Sequence, residues 1–181
     1  MSRIATPATI DEAPYAAQGL LRGVEKTLGS TPNMFRLIAN SPAGLEGYLG
    51  LNGALAKGGL DPATRERIAL AVAEINGCGY CLAAHSALGR RARLSDAEIA
   101  ANRRGGSTDA KAEAAVRFAA LLVRERGQVD AEAVEAVRAA GYADGEIVEI
   151  VLHVALNTLT NYVNEALGTE VDFPAAAPLA A

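Results

Sequence analysis

Apolar residues along this chain recur three and four positions apart, and no stretch alternates in the way a half-buried strand requires. The segment YAAQGLLRGVEKTL, residues 15–28, reads as a helix ended by Gly29. In the STPN that follows, Ser30 or Thr31 can cap a helix and Pro32 suits its first turn. MFRLIAN then makes a short helix, stopped at Ser41-Pro42. Residues 43–57 space Leu45, Leu49 and Leu55 helically and end at Gly58-Gly59. Leu60-Asp61-Pro62 is a helix start, with Asp61 as N-cap and Pro62 in the first helical position. Along that helix Ile68, Ala71, Val72 and Ile75 form the expected apolar stripe, and Asn76-Gly77 stops it. A further helix is expected from about Cys78 to Gly89, and another after the capping-box pair Ser95 and Glu98. Residues 109–126, 130–140 and 144–167 complete the series. The pattern predicts an all-α fold, one domain over residues 1–173, with a mobile tail over 174–181.

Two of these segments echo one another. RIALAVAEINGCGYC and EIVLHVALNTLTNYV align so that Tyr80 falls on Tyr162. The match is mostly apolar periodicity, compatible with a duplicated helical hairpin.

Composition narrows the function. The 181 residues are 50% hydrophobic and 21% charged, enough for an ordinary globular core. Aromatics are 4% and Trp is absent, so the core is built from Ala, Leu, Val and Ile. A net charge of −4 argues against a nucleic-acid partner. The one dense basic cluster, Arg90, Arg91 and Arg93, reads as a solvated helix C-terminus. The N-terminal stretch lacks the apolar core of a signal peptide and no run suits a membrane span, so a cytoplasmic protein without a membrane partner is expected. In a reducing compartment, two cysteines close together point to redox or metal chemistry before a structural staple.

Both cysteines and one of two histidines fall in CGYCLAAH, residues 78–85. On a helix starting near Cys78, the positions Cys78, Cys81, Leu82 and His85 share a face. Residues three apart lie roughly 5–6 Å from one another, within disulfide reach. A helix N-terminus stabilises a thiolate, most strongly at Cys78. His85, one turn beyond Cys81, can take that thiol's proton instead. The two effects nominate different nucleophiles, and the directional base leans towards Cys81. Glu66 and Glu74 are both candidates to complete the site, and each is also an ordinary surface carboxylate in isolation. Zinc is a lesser reading: three ligands crowded on two turns of one helix make a poor tetrahedral cage, and His153 is remote.

From Arg65-Glu66 through His85, the chain resembles the alkylhydroperoxidase AhpD-like proteins of the carboxymuconolactone decarboxylase family. Family peroxidases carry a Glu twelve residues before C-x-x-C-x-x-x-H, and Glu66, Cys78, Cys81 and His85 meet that spacing. LGSTPNMFRLIANSPAGLEGYL and NTLTNYVNEALGTEVD are similar to the family's flanking segments, so the likeness spans roughly residues 20–173. It implies an AhpD-like helical domain with an internally duplicated helical hairpin. It implies a hydroperoxide substrate, with Cys81 attacking, Cys78 resolving to a redox-active disulfide, and His85 with Glu66 relaying protons. It implies an external dithiol reductant, lipoyl or thioredoxin-like, a homo-oligomer (trimer or hexamer), and neither cofactor nor metal. Tyr80 stands where some family peroxidases have His, and is expected to support the site by hydrogen bonding or packing. The decarboxylase branch needs no cysteine pair. The competing reading is a redox-sensing or structural helical oligomer without turnover.

Overall fold

The Gly, Pro, Asp and Ser punctuation of the chain becomes nine α-helices and no strand among residues 2–179, which the computed structural model describes. They are α1 (Tyr15–Leu28), α2 (Asn33–Ile38), α3 (Pro42–Leu55), α4 (Pro62–Ile75), α5 (Gly79–Arg91), α6 (Asp96–Arg103), α7 (Ala110–Arg124), α8 (Ala131–Ala139) and α9 (Asp144–Leu167). The all-α expectation holds. The tail expected over 174–181 is described only to residue 179.

Side-chain caps start most of the helices. Ser41, Asp61, Ser95, Asp109 and Asp130 each accept from the backbone N–H three residues on, at 2.8–3.1 Å. Each such cap is worth about 1 kcal/mol. The capping box expected at Ser95 forms only half: the Glu98 side chain turns inward instead of returning to Ser95. Buried, it accepts from Arg67 Nε at 2.7 Å, Asn102 Nδ2 at 2.9 Å and the hydroxyls of Ser107 and Thr108. With the Thr108 N–H at 2.7 Å, five donors outbid one backbone N–H at the surface.

Neither Ser30 nor Thr31 caps α2. Pro32 occupies the N-cap, and the first N–H groups of α2 are met from afar: Asn33 N donates to Asp172 Oδ2 at 2.7 Å, Met34 N to the Tyr80 hydroxyl at 3.3 Å. The chain after α9 therefore returns to close the start of α2.

α4 lies at the centre, packed against α5, α6, α7 and α9. Every residue from Ile68 to Ala73 is buried, whereas Ile75 is only half-buried. The expected stripe is thus a helix covered all round. Its alternating alanines, Ala69, Ala71 and Ala73, allow neighbours to approach on every side. The main core joins Ile68 and Val72 to Phe118, Val137, Ile147 and Ile150. Each large side chain buried there contributes about 1.5–3 kcal/mol.

Candidate redox site

The site begins at the break between α4 and α5. Gly77 adopts φ +67°, in the left-handed region, and Cys78 N donates back to the Ala73 carbonyl at 2.9 Å. This is a Schellman closure, which Gly provides without steric cost. Cys78 is then extended and becomes the N-cap of α5, where its Sγ accepts from Cys81 N at 3.2 Å. The two cysteines form a disulfide with their Cα atoms 5.3 Å apart. The helix expected from about Cys78 begins at Gly79, with Cys78 as its N-cap.

The two sulfurs have different surroundings. Cys78 is 0% exposed, within a cluster that includes Met34, Ala73 and Tyr80. Cys81, 3% exposed, lines a cavity of about 370 Å³. Asn164, reaching across from α9, donates from Nδ2 to Cys81 Sγ at 3.2 Å. A donor aimed at sulfur favours the thiolate over the thiol.

His85 and Glu66 line the same cavity. His85 Nδ1 lies 2.8 Å from Glu66 Oε2. An ionised carboxylate only accepts, so Nδ1 carries the proton and Nε2 of the neutral ring is left as the basic nitrogen. Glu74, the rival carboxylate, is drawn away: Arg103 Nε donates to it at 2.6 Å. The tertiary fold thus brings together Cys81, His85 and Glu66 and separates Glu74 from them.

Tyr80 has a bracing position. Its hydroxyl donates to Asp172 Oδ1 at 2.8 Å and accepts from Met34 N, and Phe173 meets its ring edge-on with centroids 5.7 Å apart. Burial, reinforced by the Asp172 charge, holds the phenol well above its ordinary range despite the opposing Met34 N–H. It remains a donor, tying α5, α2 and the returning chain into one wall of the cavity. Tyr48 also lines the cavity, and burial and then the Glu66 charge push its phenol up to about 12.

Sequence reasoning missed one wall. His153, Asn157, Thr160 and Asn164 all line the cavity from α9, and all are buried. Their i, i+4, i+7, i+11 spacing puts them on one face, a polar stripe within an apolar helix. That spacing was legible; what the stripe faced was not. Asn161, off this face, accepts from Asn76 Nδ2 at 2.9 Å and ties α9 to the end of α4. Burial, followed by the charge of Arg65, pushes the His153 imidazole below its ordinary pKa, against weaker pulls from Glu149 and Glu66.

Among the described residues, no group of three or more His, Cys, Asp or Glu side chains is arranged to hold a metal ion, and no helix is long and apolar enough to cross a membrane.

Comparison with known proteins gives the arrangement a context. Residues 42–125 match the model of the Carboxymuconolactone decarboxylase family. No curated protein matches the sequence. Among solved structures, the alkylhydroperoxidase AhpD core, an uncharacterised peroxidase-related protein from Ralstonia eutropha JMP134, superposes with a TM-score of 0.85 at 24% identity, covering 94% of this chain and 92% of that one. An uncharacterised peroxidase-related protein from Silicibacter sp. TM1040 superposes with a TM-score of 0.80 at 25% identity, covering 93% and 91%. The debrominase Bmp8, solved with 2,3,4-tribromopyrrole, gives a TM-score of 0.79 at 21% identity, covering 95% and 94%, and shares the fold.

Proposed function

We propose that this chain, whose residues 42–125 match the carboxymuconolactone decarboxylase family model and whose helical fold is AhpD-like, is a thiol-dependent hydroperoxide reductase of that family. One observation carries the reading: Cys81, His85 and Glu66 converge on a single cavity, with Cys78 bonded to Cys81 behind it.

The proposed cycle starts from the reduced pair. His85, oriented through Nδ1 by Glu66, takes the Cys81 proton, and Asn164 stabilises the thiolate. The thiolate attacks the outer oxygen of ROOH. The O–O bond breaks, sulfur takes the hydroxyl as Cys81–SOH, and the alkoxide leaves as ROH with the proton returned by His85. The Cys78 thiol then attacks the sulfenic sulfur and water leaves, giving the disulfide. An external dithiol supplies two electrons and two protons to restore both thiols and is itself oxidised to a disulfide. Cys78 has no place at the cavity wall, which suits a resolving role. Tyr80 supports the wall.

Self-association is part of the proposal. Val148, Leu152, Leu159 and Tyr162 leave a band of exposed apolar surface along the outer side of α9. Such a band suits burial against a second copy of the chain. We place the activity in the reducing cytoplasm, where a dithiol donor is available.

The test is direct. Reduced protein is mixed with cumene hydroperoxide, free thiols are counted, and steady turnover is followed with dihydrolipoamide or a thioredoxin-like donor. Loss of both thiols and sustained turnover, with Cys81→Ser slower by at least ~10³-fold, is expected. Thiols that persist would overturn the reading. Stoichiometric oxidation without turnover under any donor would favour the redox-sensing alternative.

A further inference from the structure

The polar stripe of α9 has two loose ends. At one, Asn164 is 2% exposed; its Nδ2 is held by Cys81 Sγ, but its buried Oδ1 finds no hydrogen-bond partner among the described residues. At the other, His153 is 5% exposed and its buried Nε2 is likewise without a partner. The residues between them are settled: Asn157 Nδ2 donates to the His153 carbonyl and Thr160 Oγ1 to the Asn157 carbonyl. A polar atom left unsatisfied in the interior costs about 1–3 kcal/mol. Two such atoms at opposite ends of one cavity wall are a costly arrangement for a protein with no use for them.

The eleven steps from His153 to Asn164 span about 16 Å of helix axis. The cavity is also lined by apolar side chains, including Phe35, Leu88 and Leu156. Arg65 lines it beside His153, close enough for its charge to depress the imidazole's pKa. The Arg65 guanidinium has no hydrogen-bond or ion-pair partner among the described residues. Arg91, at the exposed end of α5, adds a second cation to the lining. The lining carboxylate, Glu66, is occupied by His85.

We infer that the cavity is built for an elongated alkyl hydroperoxide bearing a carboxylate at its far end, with Asn164 receiving the peroxide and His153 with Arg65 receiving the carboxylate. The inference rests on the hydroperoxide-reductase reading and assigns its substrate class. Asn164 Oδ1 accepts the O–H of the bound hydroperoxide, holding its outer oxygen beside Cys81 Sγ. The apolar middle of the chain lies along the wall between the two ends. At the far end, neutral His153 donates from Nε2 while Arg65 supplies the charge. A bidentate guanidinium–carboxylate contact fixes length as well as sign. Neither His153 nor Arg65 touches the reacting atoms, so both are specificity residues.

Two experiments separate this inference from the reading beneath it. In the first, kcat/KM is compared for ω-hydroperoxydodecanoic acid and its methyl ester, which differ only in the distal charge. The acid is expected to be favoured by at least ~10-fold, the discrimination lost when one buried charged contact is removed. In Arg65→Gln and His153→Phe the acid-to-ester ratio is expected to fall towards one. A ratio near one in the wild type, with both peroxides turned over, overturns the inference and leaves the reductase reading intact. Failure to reduce either peroxide or cumene hydroperoxide removes the reading itself.

In the second, dodecanoate is titrated by calorimetry into the full-length Cys81→Ser protein, where no chemistry intervenes. Saturable binding that weakens at least ~10-fold in the added presence of Arg65→Gln supports the carboxylate site. Absence of saturable dodecanoate binding overturns it, whatever the activity. His153→Gln, which restores a donor of similar reach, is expected to recover part of the acid preference lost in His153→Phe. Equal ratios in the two variants would reduce His153 to packing.

Discussion

Residues 67–81 and 149–163 share an apolar rhythm and reach opposite outcomes. In the first, Asn76-Gly77 ends α4, Gly77 takes a left-handed turn, and Cys78 starts α5. In the second, Thr158 and Leu159 stand at the matching positions and α9 runs on without a break. Thr160, aligned with Cys78, bonds its hydroxyl back to the Asn157 carbonyl within the helix. Tyr80 is 4% exposed and doubly hydrogen-bonded, whereas its counterpart Tyr162 is 64% exposed. The first residues of the pair also diverge: Arg67 reaches the buried Glu98, while Glu149 accepts from the N–H groups of Gly59 and Leu60. One helix break therefore separates a scaffold from a chemical site. It turns the chain so that the two sulfurs meet, and the unbroken segment supplies polar lining to the cavity that Cys81 faces.

The largest effect is expected where the first segment is anchored. Glu98→Gln leaves Arg67 buried without its carboxylate and should cost about 3 kcal/mol in urea unfolding. The same group sets an acid limit. Burial raises the Glu98 pKa, but hydrogen bonds from Ser107, Thr108 and Asn102 outweigh it and bring it from 4.5 down to about 2. A carboxyl with a lowered folded pKa stabilises fully above its unfolded value. That contribution should fade as pH falls from 4.5 towards about 2. Stability measured across this window should decline less steeply in the Gln variant than in the wild type.

The paired tyrosines come next. Tyr80→Phe strands Met34 N–H and one Asp172 oxygen and should cost about 2 kcal/mol. Tyr162→Phe should change stability by less than about 0.5 kcal/mol. Equal losses in thermal melts would erase the asymmetry between the two segments.

Asn164→Leu keeps the volume of the wall but removes the donor to Cys81. Peroxide-dependent thiol oxidation at neutral pH should slow by about tenfold, with the pH midpoint of the rate rising by about one unit. A lower rate with an unmoved midpoint would show that Asn164 does not tune the Cys81 thiolate. Within the first segment the smallest loss is at the break itself. Gly77→Ala meets open space but must hold a left-handed backbone, so it should cost about 1 kcal/mol. Matching stability in denaturant would show that the turn tolerates a side chain.

Much of the site was legible because it is local. CxxC, His85 one turn on and the break at Asn76-Gly77 all lie within ten residues, and helical geometry decides their relations. Asp61 and Ser95 announced helix starts because a cap is a contact over three residues. Ser30 and Thr31 misled for the complementary reason: the donors of α2 were claimed by Asp172 and Tyr80, far along the chain. Glu98 fitted a local capping box, yet five donors drew its side chain elsewhere.

The sequence alone thus determined the helices, their punctuation and the proximity of Cys78, Cys81 and His85, since each depends on rotation and rise along one chain segment. Tertiary structure decided which sulfur faces the cavity, that Glu66 and not Glu74 meets His85, and that α9 brings His153 and Asn164 to the same cavity. Those outcomes depend on how helices distant in sequence pack around α4, and buried donors and acceptors choose partners only once that packing has excluded water.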